Sequence, residues 1–293
     1  MLLQTGVFLL QHRQATTTTE GAAISTRSRI IVLVTMFGFL SSSLMTMSTA
    51  ESAIQPDSIE QRVNELLGRM TLAEKVGQMS QVNAGHGNPV EDLGATLRAG
   101  RIGSVLNVVD VDTVNELQRI AVEESRLGIP LLAGRDVIHG FKTIAPIPVG
   151  LAATWNPDVI AESARVAAFE AAASGVNWTF APMIDVTRDP RWGRVAESPG
   201  EDPYLASRFA EAMVQGFQGD DLSAPDTILA CAKHFAGYGA SEAGRDYATT
   251  NIPENELRNV YLPPFKAAVD AGVQTLMASF SDLNGVPATG NAF

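Results

Sequence analysis

Side chains that could do chemistry occur at four places in the sequence, each at or directly after the end of an apolar run. They are Arg135 and Asp136 with His139 and Gly140, the run at 185–197, the pair Lys233 and His234, and the run at 279–285. A charge is costly to bury without a partner or a ligand, so such residues at strand ends are candidates for a binding or catalytic site. The carboxylate of Asp136 could accept two hydrogen bonds from a ligand rich in hydroxyl groups, or from amides of its own loop.

Basic side chains mark two of these places. Arg188 and Arg191 are expected to pair with acidic residues of their own loop, whereas a guanidinium beside Trp192 could orient a sugar through fixed donors and an apolar face. Lys233 and His234 end an otherwise apolar strand. This position favours a functional role for the two side chains over a place in the core.

Composition excludes several classes of protein. With 45% hydrophobic residues among 293, the chain can fold around a sizeable core. Its formal net charge of -11 would repel a phosphate backbone, so nucleic acid is not expected as a partner. The lone cysteine, Cys231, cannot form an internal disulfide. No metal-ligand spacing connects the histidines, which are His12, His86, His139 and His234.

Short β-rich runs alternate with helical patterns from residue 57 onward, which is typical of a parallel α/β fold. Strands are expected over 101–108, 130–137, 178–186, 228–235 and 273–281. Helices are expected over 71–79, 112–127, 156–175, 202–218 and 254–271, the last broken at 263–264. Three helix starts carry capping signals, which are the capping box of Thr71 and Glu74 and the pairs Asn156–Pro157 and Asp202–Pro203.

The pattern of about six βα units indicates a (β/α)8-type TIM barrel rather than a doubly wound sheet. Gly237 and Gly239 lack the third glycine of a dinucleotide-binding loop, and the sequence has neither a phosphate-binding loop nor a G-x-S-x-G elbow. No cofactor is therefore expected. Because six units cannot close an eight-stranded barrel, we expect the TIM barrel to be incomplete.

Four segments together, in their order and spacing, resemble glycoside hydrolase family 3, and in particular its exported bacterial β-glucosidases. They are the segments at 136–140, 188–203, 232–235 and 284–289. The resemblance extends over essentially all of 57–293. It implies that the chain is the N-terminal barrel domain of an enzyme that hydrolyses terminal non-reducing β-D-glucosides with retention of configuration.

The same resemblance implies roles for individual residues. The side chains implied to bind the substrate are Asp136, Arg194, Lys233 and His234. Those implied to shape the pocket are Met183, Trp192 and Phe280, the last standing where many members of the family have a tyrosine. The implied substrate is a β-glucoside or cello-oligosaccharide, with no metal.

The two catalytic carboxyl groups of a retaining enzyme lie about 5–5.5 Å apart. In the family, the nucleophilic aspartate belongs to a Ser-Asp pair after the strand that follows an Asn-Gly-Val-Pro segment. Ser281 and Asp282 imitate that pair but precede Asn284, so Asp282 is only a minor candidate for the nucleophile and is otherwise a loop residue. We expect the nucleophile beyond Phe293 and the acid/base glutamate in a following domain, so that a chain truncated here would be inactive.

Several alternatives stay open from the residues. The chain could be a sugar-binding barrel without chemistry, or its parent enzyme could prefer β-xylosides or N-acetylglucosaminides. The N-acetylglucosaminidases of the family take a histidine acid/base from the loop after the Lys-His pair, and the loop at 238–247 has none, which favours a glucosidase. A different chemistry would be an aldolase that forms a Schiff base on Lys233.

Residues 1–50 have the features of a leader with a signal peptide. Basic residues at 27–29 precede an apolar run at 30–40, and small residues follow it. Serines at 41–43 interrupt the run short of the length of about 20 residues that a membrane span needs, so no stable span is expected. A buried helix is the alternative. We expect residues 51–293 to form the mature domain, periplasmic or secreted.

Export can be checked directly. Because small residues precede Glu51, N-terminal sequencing of the mature protein is expected to begin close to that residue. Recovery of the chain from the cytoplasm with Met1 intact would contradict the prediction.

Overall fold

The computed structural model describes residues 7–9 and 56–292. The chain divides into two units, one of residues 1–10 and 66–293 and the other of residues 11–65. In the described part of the second unit, the side chain of Gln61 donates a hydrogen bond of 2.8 Å to Glu65 along a helix. The predicted signal peptide lies outside the described residues.

The strands of the larger unit are short. In the described part of the chain they are β1 (Val7–Leu9), β2 (Gln81–Asn83), β3 (Ser104–Leu106), β4 (Leu132–Arg135), β5 (Trp178–Thr179), β6 (Cys231–Phe235), β7 (Thr275–Ala278), β8 (Asp282–Leu283) and β9 (Val286–Pro287). Of the parallel strands, β2 escaped the sequence prediction because three residues, two of them polar, give too little alternation to detect.

Helices precede or follow most of these strands. The described α-helices are α1 (Pro56–Arg69), α2 (Leu72–Gln78), α3 (Pro89–Arg98), α4 (Val111–Arg119), α5 (Pro148–Ala152), α6 (Pro157–Ala172), α7 (Pro203–Gln218), α8 (Glu254–Glu256) and α9 (Pro263–Asp270). Single π-helical turns at Ile120–Glu124 and Leu257–Tyr261 follow α4 and α8. Within residues 56–292, no helix combines the length and the apolar character needed to cross a membrane.

Parallel strands stand side by side in the order of the sequence. Strands β2, β3, β4 and β5 form one parallel sheet, and β6 pairs in parallel with β7. Isolated parallel bridges from Trp178 to Leu229 and from Met183 to Lys233 join the chain around β5 to the chain around β6. A doubly wound sheet reverses its strand order at a switch point, and no reversal occurs among these described strands.

The parallel α/β class is therefore as predicted, with six parallel strands in the described part of the chain. These strands do not close into a barrel, and β1 pairs antiparallel with β7 at one edge. The strand expected over 178–186 is regular only at Trp178–Thr179. Pro182 has no N–H group to donate to a neighbouring strand, which explains the interruption.

Helix starts follow the capping signals of the sequence. The backbone of Glu74 donates to the Thr71 side chain, and the Glu74 carboxylate accepts from the Thr71 backbone, as the capping box requires. Asn156 caps α6 and Asp202 caps α7, each followed by proline in the first turn. The predicted break at 263–264 is where α9 begins.

Helices α6 and α7 pack closely through small residues. Gly216 on α7 faces α6, where an added Cβ would lie 2.4 Å from the carbonyl oxygen of Ala161 and 2.6 Å from the Cβ of Ala164. Phe209 and Phe217 on α7 are fully buried in the same core. The backbone contact leaves no room for a methyl group.

Gly216→Ala is expected to lower the free energy of unfolding by about 1–3 kcal/mol, because the clash with backbone outweighs the better helix propensity of alanine. Denaturant unfolding of the chain measures the change. Gly68→Ala on α1 is the matched control, since nothing described lies within 4 Å of its added Cβ. A Gly216 variant as stable as the control would contradict this packing.

Candidate functional site

The centre of the site is the end of β6, where Lys233 and His234 are both buried. The strand follows the apolar run 228–230 and carries its two polar side chains near its end. The Lys233 ammonium donates a hydrogen bond of 2.7 Å to Asp136, which lies just after β4. Its side chain is 4% exposed, whereas that of Asp136 is 52% exposed, so the pair lies at the boundary between core and solvent.

His234 has its own carboxylate partner, Asp185, whose side chain is fully buried. One oxygen of Asp185, Oδ2, lies 2.8 Å from the ring Nδ1 of His234 and accepts the His234 main-chain N–H at 3.1 Å. Burial lowers the pKa of His234 below its ordinary value, although the Asp185 charge opposes this shift. The shift favours the neutral form of the ring.

Arg194 reaches the same cluster from a 3-10 turn at Gly193–Glu197. Its guanidinium donates two hydrogen bonds, of 2.8 and 2.9 Å, to Glu197 and lies 5.6 Å from the ring centre of Tyr238. Burial tends to raise the pKa of Glu197, but the hydrogen bonds from Arg194 lower it overall. The Tyr238 ring is also 5.1 Å from that of His234 and so connects the two side chains.

The carboxylate of Asp246, an exposed residue, supports the buried side chain of Tyr238. Its hydroxyl donates a hydrogen bond of 2.6 Å to Asp246, and the Trp192 indole N–H donates one of 2.9 Å to the same oxygen. Met183 packs in the same small cluster. Burial opposes ionisation of Asp246, but the two hydrogen bonds hold its pKa below the ordinary value. Of the expected pocket residues, Trp192 and Met183 are thus buried under the site and support it from inside.

Exposed aromatic rings also lie close to the histidine. Phe280, just after β7, is 48% exposed, and its ring centre is 5.7 Å from that of His234. Tyr247 is also exposed and meets Phe280 edge to face at 5.3 Å. The flat apolar face of Phe280 is therefore available beside a polar cluster.

The structure brings the four expected binding residues into one cluster. Asp136 touches Lys233, His234 follows Lys233, and Arg194 is joined to His234 through the Tyr238 ring. Within residues 56–292, no group of three or more His, Cys, Asp or Glu side chains could hold a metal ion.

The other arginines of the segment are used in ion pairs. Arg191 pairs with Asp189 in its own loop, as expected. For Arg188 the expectation was wrong, because it pairs with Glu256 at 2.8 Å and with Tyr261 at 3.1 Å, both outside the loop. A contact between residues that are about 70 positions apart leaves no local signal in the sequence.

Asp282 belongs to a hairpin between β8 and β9. It accepts hydrogen bonds from the Thr249 hydroxyl at 2.6 Å and the Gly285 backbone N–H at 2.9 Å. The bond from Thr249 lowers the pKa of Asp282. Asn284 and Gly285 both have positive φ, of 53° and 83°, as the expected tight turn requires. The turn expected at Asn284 and Gly285 is therefore present, whereas Asp282, expected in a loop, lies in the short strand β8.

Asp185 and Tyr238 are residues of the cluster that the sequence analysis did not single out. Asp185 had a usable signal, since it is a charged residue that interrupts the apolar run at 182–186, and a charge in such a run needs a partner. Tyr238 and Asp246 lie in a loop without periodicity. Their place depends on contacts that no local pattern encodes.

Ion pairs and aromatic rings gathered where parallel strands end define an α/β protein whose polar cluster has the chemistry to bind a polar organic ligand. Residues 71–293 match the glycosyl hydrolase family 3 N terminal domain. The chain belongs to glycosyl hydrolase family 3, which confirms the resemblance found in its sequence.

Known relatives share this region. A periplasmic β-glucosidase of Salmonella typhimurium is 41% identical over 240 residues, covering 82% of this chain and 31% of the relative. A β-xylosidase of Formosa agariphila is 38% identical over 201 residues, covering 64% of this chain and 28% of the relative. A β-glucosidase of Listeria innocua, solved in complex with glucose, has a TM-score of 0.71 at 41% identity, covering 78% and 34% of the two chains. The chain therefore spans about a third of the length of these proteins.

The Lys233–Asp136 pair should be asymmetric in stability. Asp136→Ala leaves a buried ammonium without its carboxylate and is expected to destabilise the chain by about 1–3 kcal/mol. Lys233→Met removes the buried charge and leaves a half-exposed carboxylate that water can solvate, so its cost is expected to be smaller. Urea unfolding of both variants compares them. A larger loss for Lys233→Met would contradict this account of the pair.

Proposed function

We propose that this chain is the sugar-holding domain of an exported enzyme that hydrolyses terminal non-reducing β-D-glucosides with retention. The observation that carries the proposal is the Lys233–Asp136 pair beside His234 at the strand ends. The β-glucosidases among its relatives support the reaction class, and the periplasmic relative supports export. Residues 1–50 would be the leader with its signal peptide, and 51–293 the domain.

Sugar hydroxyl groups both donate and accept hydrogen bonds, and the cluster offers both functions. The half-exposed carboxylate of Asp136 is an acceptor, and Lys233 has two N–H groups besides the one given to Asp136. Arg194 is a planar donor held in place by Glu197. The exposed face of Phe280 could contact the apolar C–H surface of a pyranose ring.

The architecture that we infer for the whole domain is a (β/α)8-type barrel. The sequential order of six parallel strands supports it, because each strand of such a barrel neighbours the next along the chain. Candidate ligand groups at the ends of β4 and β6 lie on the side where barrel enzymes bind their substrates.

The catalytic carboxylates belong, in this proposal, to a longer polypeptide of which the chain is the N-terminal part. The carboxylates of the cluster are each bound to a basic or hydroxyl partner, as Asp136 is to Lys233 and Glu197 to Arg194. A retaining mechanism needs a free nucleophile and an acid/base. The missing domain would supply the acid/base, and the segment after Phe293 the nucleophile.

Activity tests the proposal. The longer polypeptide is expected to hydrolyse p-nitrophenyl β-glucoside, and the 293-residue chain alone is not. In the longer form, Lys233→Ala is expected to lower kcat/KM about 10- to 100-fold, since it removes charged hydrogen bonds to the sugar. Lys266→Ala is the matched control, because Lys266 is exposed and pairs only with Asp270 on its own helix.

Three outcomes would redirect the proposal. Faster turnover of p-nitrophenyl β-xyloside would assign the specificity of the xylosidase relatives. Turnover by the 293-residue chain that is abolished by Asp282→Asn would show that the nucleophile lies within it. If borohydride traps a carbonyl substrate on Lys233, Schiff-base chemistry replaces hydrolysis.

A further inference from the structure

Asp185 is a buried carboxylate that the proposed reaction does not use. Its side chain is fully buried, and its Oδ2 atom takes both hydrogen bonds from His234. No described donor reaches its other oxygen, Oδ1. Burying a carboxylate with only one of its oxygens hydrogen-bonded costs folding free energy, so its presence beside a buried histidine calls for a functional explanation.

The backbone around Asp185 fixes the direction of its side chain. The residue before it, Ile184, donates its N–H to the carbonyl of Lys233 at 2.9 Å, and Ser198 donates its hydroxyl to the Asp185 carbonyl at 2.7 Å. A Cβ on Gly239 would lie 2.1 Å from the carbonyl oxygen of Val186 and 3.4 Å from the Asp185 Cβ. The carboxylate is thus enclosed, and among the described residues its side-chain hydrogen bonds come from His234.

An ionised carboxylate can only accept hydrogen bonds, so a neutral His234 facing it at 2.8 Å must carry its proton on Nδ1. The other ring nitrogen, Nε2, is then an acceptor with a fixed direction. We propose that Asp185 is a positioning residue that holds His234 in this tautomer and so presents Nε2 to a hydroxyl of the sugar. The second half of this statement rests on the proposed function.

Charged groups face His234 from several elements and act in opposite directions. Asp185, which follows β5, favours the charged imidazolium. Lys233, which precedes His234 on β6, and Arg194 disfavour it. Glu197 and the Tyr238 ring are also close. Burial, together with the two cations, outweighs Asp185 and lowers the pKa of His234, which favours the neutral form able to accept at Nε2.

The tautomer can be observed directly by ¹⁵N NMR of the full chain with labelled histidine. His234→Gln identifies the signals of His234 among those of the other three histidines. We expect a protonated Nδ1 and a bare Nε2 in the unmodified chain. A protonated Nε2 with bare Nδ1 would overturn the proposal, whatever the behaviour of any variant.

Asp185→Asn removes the charge at nearly unchanged volume. It is expected to give a mixture of tautomers and to weaken glucose binding about tenfold. Because the carboxylate favours the imidazolium, its loss should move the acidic limb of the binding profile to lower pH. Asp189→Asn alters a surface ion pair with Arg191 in the same segment. It should leave the tautomer of His234, the glucose affinity and the pH profile of binding unchanged.

The outcomes separate this role from a structural one. Weaker binding at every pH, with the tautomer and the acidic limb unchanged in Asp185→Asn, would overturn the positioning role. A protonated Nδ1 in an unmodified chain that binds no glucose would support the hold on the imidazole and count against the proposed function. Failure of the positioning role and failure of the proposed function are therefore distinguishable.

Discussion

The site depends on burying an ammonium and an imidazole side by side at the end of one strand. Each needs an acceptor, because a charge or a hydrogen-bond donor that is buried without a partner costs on the order of several kcal/mol. The acceptors come from two other strand ends, Asp136 after β4 for Lys233 and Asp185 beyond β5 for His234. The sequential order of the parallel strands is therefore what brings the partners together.

The same pairing limits what the cluster can do. Carboxylates engaged by basic groups have lowered proton affinity and restricted geometry, so they suit binding and orientation better than proton transfer. Glu197, for example, is held by Arg194 through two hydrogen bonds and has a lowered pKa. The aromatic side chains complete the arrangement, with Tyr238 buried between Arg194 and His234 and Phe280 exposed beside them.

Local chemistry made part of this predictable. The caps at Thr71 and Asp202 act within one helical turn, so the helix starts could be read from the sequence. The pairing of Arg188 with Glu256 could not, because it joins distant segments. Strand β2 was too short to show a period, and the strand at 178–186 was overestimated where Pro182 interrupts it. Motif order indicated that Asp136 and Lys233 share a site, but their contact emerges only from the fold.

The two pairs differ in the way that matters for a ligand. Asp136 is half exposed, so a hydroxyl group can replace water on its free oxygen without breaking the bond to Lys233. Asp185 is buried away from solvent, so an atom of the ligand cannot take its place as the acceptor at Nδ1 of His234. One pair can adapt to the molecule that binds, and the other keeps the imidazole in a fixed orientation. A sugar-binding site needs both kinds of group. An adaptable group can replace the water that a hydroxyl loses on binding, and a fixed group can distinguish one hydroxyl from another.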